Sequence, residues 1–217
     1  MFSLSEENYL KAIFHLQKHT TEGVSTNALA EELQTKASSV TDMLKKLSDK
    51  DLVIYVKYQG VYLSESGRQT ALQIVRKHRL WEVFLVEKLN FSWDEVHDVA
   101  EELEHIKSDK LISELDKFLD YPQRDPHGDP IPDAEGNFQV SNKTLLSNLK
   151  KGETGTLVGV KDTSSKFLKY LDKNNIALGE TIKVLDKEEF DGSMQIKVRG
   201  ERLNVSPLVT VNIYIKP

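Results

Sequence analysis

Cysteine is absent from all 217 residues, which excludes disulfides, thiolate metal sites and cysteine nucleophiles. Proline is nearly absent too: there are six, and none precedes Pro122, so residues 1–120 can run as helix with little interruption. No apolar run approaches the roughly 18 residues that a membrane span requires. The opening Met1-Phe2-Ser3-Leu4-Ser5-Glu6-Glu7 has no basic segment followed by an apolar one, so no secretory signal is expected. A cytoplasmic protein without a membrane partner is the expectation. Excess positive charge is also missing, with 29 Lys and Arg against 34 Asp and Glu, a net charge of −5. Phosphate neutralisation by Lys and Arg drives DNA binding, so bulk charge by itself does not point to nucleic acid. An acidic chain that binds DNA could gain positive charge from a bound cation.

Enzyme signatures are missing as well. There is no His-Glu-x-x-His, Walker loop, Gly-x-Ser-x-Gly or dinucleotide glycine fingerprint. Glu102-x-x-His105 is the single copy of a motif that a di-iron bundle would need twice. Neither catalysis nor a small-molecule substrate is expected.

What is present divides into three stretches, with boundaries expected at 1–64, 65–143 and 144–217. In the first, Tyr9, Leu10, Ile13, Phe14 and Leu16 give a helix over about 4–19 its apolar positions. Ser25 is a plausible N-cap for a second helix carrying Leu29, Ala30 and Leu33. After the break Thr35-Lys36-Ala37, a third helix turns Val40, Met43, Leu44 and Leu47 inward. Two short helices joined by a tight turn form a helix-turn-helix candidate. The β-rich runs 52–56 and 61–63 flank Tyr58-Gln59-Gly60 and read as a hairpin of the size of a wing. A winged helix therefore accounts for 1–64. Its third helix exposes Ser38, Ser39, Thr41, Asp42 and Lys45, which offer hydrogen bonds to base edges and phosphates. Lys36 and Lys46 make the stretch locally basic, and Tyr58 stands at the wing; these eight residues are the DNA-contact candidates.

Ionisable residues on apolar faces mark the second stretch. A helix over about 65–89 places His78 and Glu82 one turn apart, among Ala71, Ile74, Val75 and Leu85. Burying an imidazole and a carboxylate there is costly without strong partners. A further helix over about 94–119 sets His97, Glu101, Glu104 and His105 within an arc of about 100°. Ile112, Leu115 and Leu119 continue that strip, so it should face protein. A lone His-Glu pair is usually a satisfied core hydrogen bond. Six such residues on two neighbouring helices argue for a cation, because clustered buried carboxylates repel one another. These N and O donors suit Mn(II), Fe(II), Co(II) and Zn(II). The connector 121–143 is rich in proline and glycine, and from about Leu145 short β segments alternate with turns, as in a small antiparallel barrel.

The stretches Glu7-Asn8-Tyr9-Leu10-Lys11-Ala12-Ile13, Arg76-Lys77-His78-Arg79-Leu80-Trp81-Glu82 and 96–105 (Val-His-Asp-Val-Ala-Glu-Glu-Leu-Glu-His) resemble the diphtheria-toxin-repressor family of metal-dependent repressors. The connector Asp125-Pro126-His127-Gly128-Asp129-Pro130-Ile131-Pro132 matches it too, and the likeness covers nearly the whole chain. It implies a mainly α fold with small β parts: an N-terminal winged helix-turn-helix, a helical dimerisation domain and a C-terminal SH3-like β-barrel. The implied activity is repression of metal-uptake genes by a homodimer on a palindromic DNA operator. One implied metal site uses Asn8, Glu101, Glu104 and His105. A second uses His78, Glu82 and His97, with Asp125, His127 or Asp162 assisting; subgroups share His78 differently. Glu101 stands where iron-type members carry Cys, which favours Mn(II) while leaving Fe(II) and other divalent ions open. Asn8 replaces an Asp of the manganese subgroup, and Lys11 stands where short manganese regulators place Glu.

Overall fold

The computed structural model describes residues 2–17, 22–56, 59–138 and 142–217. They form two compact units, one of residues 1–81, 101–114 and 132–138, the other of 82–100, 115–131 and 139–217.

The first unit opens with α1 (Leu4–Gln17), started by a reciprocal cap. Ser3 N donates to Glu6 Oε2 at 2.9 Å, and Glu6 N donates to Ser3 Oγ at 3.3 Å. That exchange satisfies two of the amides a helix start leaves open. Lys50 Nζ then clamps Glu6 at 2.6 Å and holds its carboxyl below the usual range, helped by the Ser3 amide. Helix α2 (Thr26–Glu32) begins where Ser25 Oγ accepts from Ala28 N. Gln34 in the left-handed region (φ 49°) turns the chain into α3 (Ala37–Ser48). Val40, Leu44 and Leu47 of α3 are buried with Leu10, Ile13 and Leu29 in one apolar cluster.

The wing is an antiparallel hairpin, β1 (Val53–Val56) with β2 (Gly60–Leu63), in the register Val53↔Leu63 to Val56↔Gly60. A bridge from Val24 to Val61 fastens it to the segment before α2. Gly60, at φ +99°, lies so close to that segment that a Cβ would stand 2.6 Å from Val24 O. Ser64 Oγ accepts from Gly67 N and starts α4 (Glu65–Leu89), 25 residues long. No helix among the described residues is long and apolar enough to cross a membrane.

The expected helix over 94–119 is two helices, α5 (Val96–Leu103) and α6 (Asp109–Phe118). Ser108 caps α6, its Oγ accepting from Leu111 N, and Asp109 adds favourable charge to the first turn. The break leaves Glu104 and His105 in the turn rather than on a helix face.

The second unit is built on a six-stranded antiparallel sheet in the order β3-β8-β4-β5-β6-β7. Its strands are β3 (Thr144–Leu145), β4 (Thr154–Val160), β5 (Thr181–Lys187), β6 (Met194–Val198), β7 (Glu201–Val205) and β8 (Ile213–Lys216). Alternating buried residues, Ile182 and Val184 on β5 and Met194, Ile196 and Val198 on β6, fill its core. Strand β8 starts only at Ile213, because Pro207 opens a helical turn, α8 (Pro207–Thr210). Sequence patterning also missed α7 (Ser165–Lys173), which Ser164 caps and which buries Phe167, Leu168 and Leu171.

Candidate metal centres and nucleic-acid interface

Each unit gathers its own cluster of imidazoles and carboxylates. In the first unit Glu104, fully buried, is the hub. His78, on α4, lies with Nδ1 2.7 Å from Glu104 Oε2 and 3.9 Å from Glu101 Oε1. The resemblance grouped His78 with Glu82 and His97 and left its sharing between the two sites open. In the structure the reversal of the chain after Leu103 brings the 104–105 turn back to it. From α1, Lys11 reaches the same oxygens, 2.5 Å from Glu101 Oε1 and 2.7 Å from Glu104 Oε2.

The other side of Glu104 differs. Oε1 is buried without a hydrogen-bond partner, and so is Asn8 Oδ1 on α1. His105 Nε2 lies 3.9 Å from that orphaned Oε1, while its Nδ1 is 2.6 Å from Glu7 Oε2. A carboxylate on Nδ1 holds the proton there and leaves Nε2 as the bare, ligating nitrogen. An unpartnered buried carboxylate oxygen costs on the order of 1–3 kcal/mol or more, and a divalent cation is the partner such an oxygen suits. Asn8, Glu104 and His105 therefore fit a metal. Glu7 and Lys11 were missed as site residues in the sequence reading. The signal for both was their place on α1: Glu7 precedes Asn8, and Lys11 lies one turn beyond it.

In the second unit Glu82, Asp125 and His127 are all buried, with one ligand atom from each within 4.8 Å of the others. Glu82 Oε1 is 3.6 Å from His127 Nδ1 and 3.7 Å from His97 Nδ1. The connector is shaped to present these groups. Asp125 Oδ1 accepts from the amides of His127 and Asp129, both at 2.9 Å. His127 O accepts from Val160 N of β4. Gly128 (φ +85°) lies so tightly on β4 that a Cβ would fall 2.1 Å from Val158 O. His127 Nε2 donates to Trp93 O at 2.7 Å, which turns Nδ1 toward Glu82.

Burial by itself would lower the His127 pKa. The Glu82 carboxylate, the Asp125 charge and the Trp93 carbonyl outweigh it and raise the value from 6.5 to about 9. His97 is more exposed than its strip predicted, with just over half of its side chain open to solvent. Asp162 stands outside the three-residue set; its Oδ1 accepts from Ser164 N ahead of α7.

Of the DNA-contact candidates, Lys36, Ser38, Ser39, Thr41, Asp42, Lys45 and Lys46 are all exposed at or on α3. Thr41 Oγ1 donates back to Ala37 O, and Asp42 pairs loosely with Lys45 at 3.8 Å. Tyr58 lies outside the described residues.

A winged helix with an exposed third helix, and buried clusters of oxygen and nitrogen donors, define a metal-dependent DNA-binding regulator. Three family models match in turn: the iron-dependent repressor N-terminal DNA-binding domain over 1–61, the iron-dependent repressor metal-binding and dimerisation domain over 64–133, and the FeoA domain over 144–217. The diphtheria toxin repressor of Corynebacterium diphtheriae is 32% identical over 208 residues, covering 90% of this chain and 89% of that protein. A solved manganese-dependent transcriptional repressor in complex with manganese is 38% identical, with TM-score 0.86, 97% of this chain and 98% of that one. The chain belongs to the iron-dependent repressor family, whose members are metal-dependent transcriptional repressors. A probable metal transport system membrane protein of Chlamydia trachomatis is 34% identical over 137 residues. The chain spans 61% of its own length in that match and 30% of that relative's.

Proposed function

We propose that this protein is a cytoplasmic repressor that binds a palindromic operator as a homodimer when Mn(II) is bound, and so controls genes for metal uptake. The observation that carries this reading is the pair of buried, unpartnered oxygens, Asn8 Oδ1 and Glu104 Oε1. Asn8 belongs to the first helix of the winged helix, whereas Glu104 belongs to the turn after α5. Asn8, His78, Glu101, Glu104 and His105 form one ligand set in this proposal. Glu82, Asp125 and His127 form the other, with His97 beside it and Asp162 as a further candidate. Bound metal supplies positive charge to the carboxylates and a fixed link between α1 and the 101–105 segment.

The chain's own groups divide the remaining work. Glu7 holds the His105 tautomer, the Asp125 turn presents His127, and Ser38, Ser39, Thr41 and Lys45 meet the major groove. Lys36 and Lys46 meet phosphates. The three-part division at 1–64, 65–143 and 144–217 belongs to the same proposal. Manganese is favoured over iron because the donors are hard oxygens and imidazoles with no sulfur among them. The relative of TM-score 0.86 is a manganese complex, although other neighbours were solved with zinc or cadmium.

The test is operator binding to DNA upstream of the protein's own and neighbouring transporter genes, titrated with Mn(II), Fe(II) and Zn(II) against a chelator. Binding is expected only with metal, and Glu104→Ala is expected to weaken the metal response by more than about tenfold. Binding that ignores metal, or a Glu104→Ala variant that responds like the wild type, would overturn the reading.

A further inference from the structure

The Lys11 ammonium sits where a metal would. Its Nζ lies 2.5 Å from Glu101 Oε1 and 2.7 Å from Glu104 Oε2. His78 Nδ1 completes the group, 2.7 Å from that same Glu104 oxygen. Two carboxylate oxygens and an imidazole nitrogen converging from α4, α5 and the following turn are a cation's ligand set, and here a side-chain cation fills it. Lys11 is 9% exposed. The contact therefore differs from surface ion pairs, which solvent and salt weaken.

We infer that Lys11 is a built-in competitor of the metal: its ammonium occupies the Glu101–Glu104–His78 set in the metal-free protein and must withdraw before a divalent ion uses those oxygens. The inference rests on the reading of Glu101 and Glu104 as metal ligands. An ammonium and a divalent ion held by the same two oxygens would stand a few ångströms apart in a buried place, where like charges repel strongly. One must leave, and only Lys11 has a flexible stem to carry its charge away. Two consequences follow for a sensor. Lys11 keeps the carboxylates neutralised when metal is scarce, so the metal-free protein stays folded with α1 docked. It also raises the free-metal concentration at which the set fills, because each binding event includes breaking the Lys11 contacts. The opposite face of Glu104, with its unpartnered Oε1, gives an entering ion a first foothold that Lys11 does not block.

The experiment is Mn(II) binding to the full-length protein without DNA, read from the loss of the free-ion EPR signal. It is run on wild type, Lys11→Met, Lys11→Gln, Lys11→Arg and Glu104→Ala, with thermal melts in chelator and in Mn(II). Lys11→Met and Lys11→Gln are expected to bind Mn(II) at least about tenfold more tightly than wild type, about 1.4 kcal/mol. Both should melt lower than wild type in chelator and gain more from Mn(II), whereas Lys11→Arg should bind like wild type. The uncharged polar Gln keeps the comparison open if the Met variant folds poorly. If Glu104→Ala binds one Mn(II) fewer per chain than wild type, but the neutral variants match or fall below wild type, the competitor role is wrong and the metal site stands. If wild type and Glu104→Ala bind alike or neither binds, the ligand assignment itself fails, and the inference with it.

Discussion

A single histidine shows how environment outweighs residue type. His127 and His97 both approach Glu82 Oε1, at 3.6 and 3.7 Å, yet only His127 is buried, where its neighbours raise its pKa to about 9. A group whose folded pKa lies above its unfolded value binds its proton more tightly in the native state. The stability this adds is fully present below about pH 6.5 and is lost as pH rises through 9. Melting the metal-free protein in chelator from pH 6 to 10 should show that decline, and His127→Gln should flatten it; parallel curves would contradict the assignment. If His127 holds metal as proposed, it would have to give up this proton, so Mn(II) affinity of the Glu82–Asp125–His127 set should climb toward pH 9. The sequence placed Asp125 and His127 as helpers through family likeness alone. Nothing in the residue pattern indicated that His127 would be the more deeply buried imidazole.

At the scale of elements, the helix pattern was read well where one face is apolar throughout. Helix α4 occupies the expected 65–89, and α3 turns Val40, Leu44 and Leu47 inward as its periodicity required. The expectation failed at 104–108, where apolar spacing continued through Ile112, Leu115 and Leu119 and hid the Ser108 cap. Ser-Asp after a lysine was the available signal, and local capping prevailed over periodicity. On α3, Lys46→Ala should weaken operator binding similarly across sequences and lower the salt-dependence slope by about one. An unchanged slope, measured by anisotropy over a salt series, would remove Lys46 from the phosphate contacts. In the connector, Gly128→Ala must accommodate both φ +85° and the Val158 carbonyl. A loss of at least about 1–3 kcal/mol is expected, with weaker metal binding by the set that includes His127. A melt identical to wild type would show that the connector is looser than its contacts imply.

For the molecule as a whole, the second unit ties chemistry to the barrel. The His127 carbonyl accepts from β4, and Gly128 rests on the same strand. Trp93 Nε1 donates to Asp172 on α7, while Asp94 takes Ser165 and Lys169 from that helix. Deleting 144–217 should therefore weaken metal binding at Glu82, Asp125 and His127 while leaving a dimer, since the family's dimerisation domain matches 64–133. Sizing chromatography and Mn(II) titration of the truncated chain test both halves; a monomer, or an intact second set, would refute the corresponding half.

The sequence by itself determined the winged helix, the long α4, the β-rich C-terminal part and the list of candidate ligands. Those features follow from local periodicity, capping and the cost of placing charge on an apolar face. Only the tertiary structure decided the contacts: His78 on Glu104, Lys11 on the carboxylates, Glu7 on His105 and His127 beside Glu82. Such groupings depend on where the chain reverses after Leu103 and where the connector meets β4. Contacts across 26 to 98 residues of sequence leave no periodic trace in the chain that forms them.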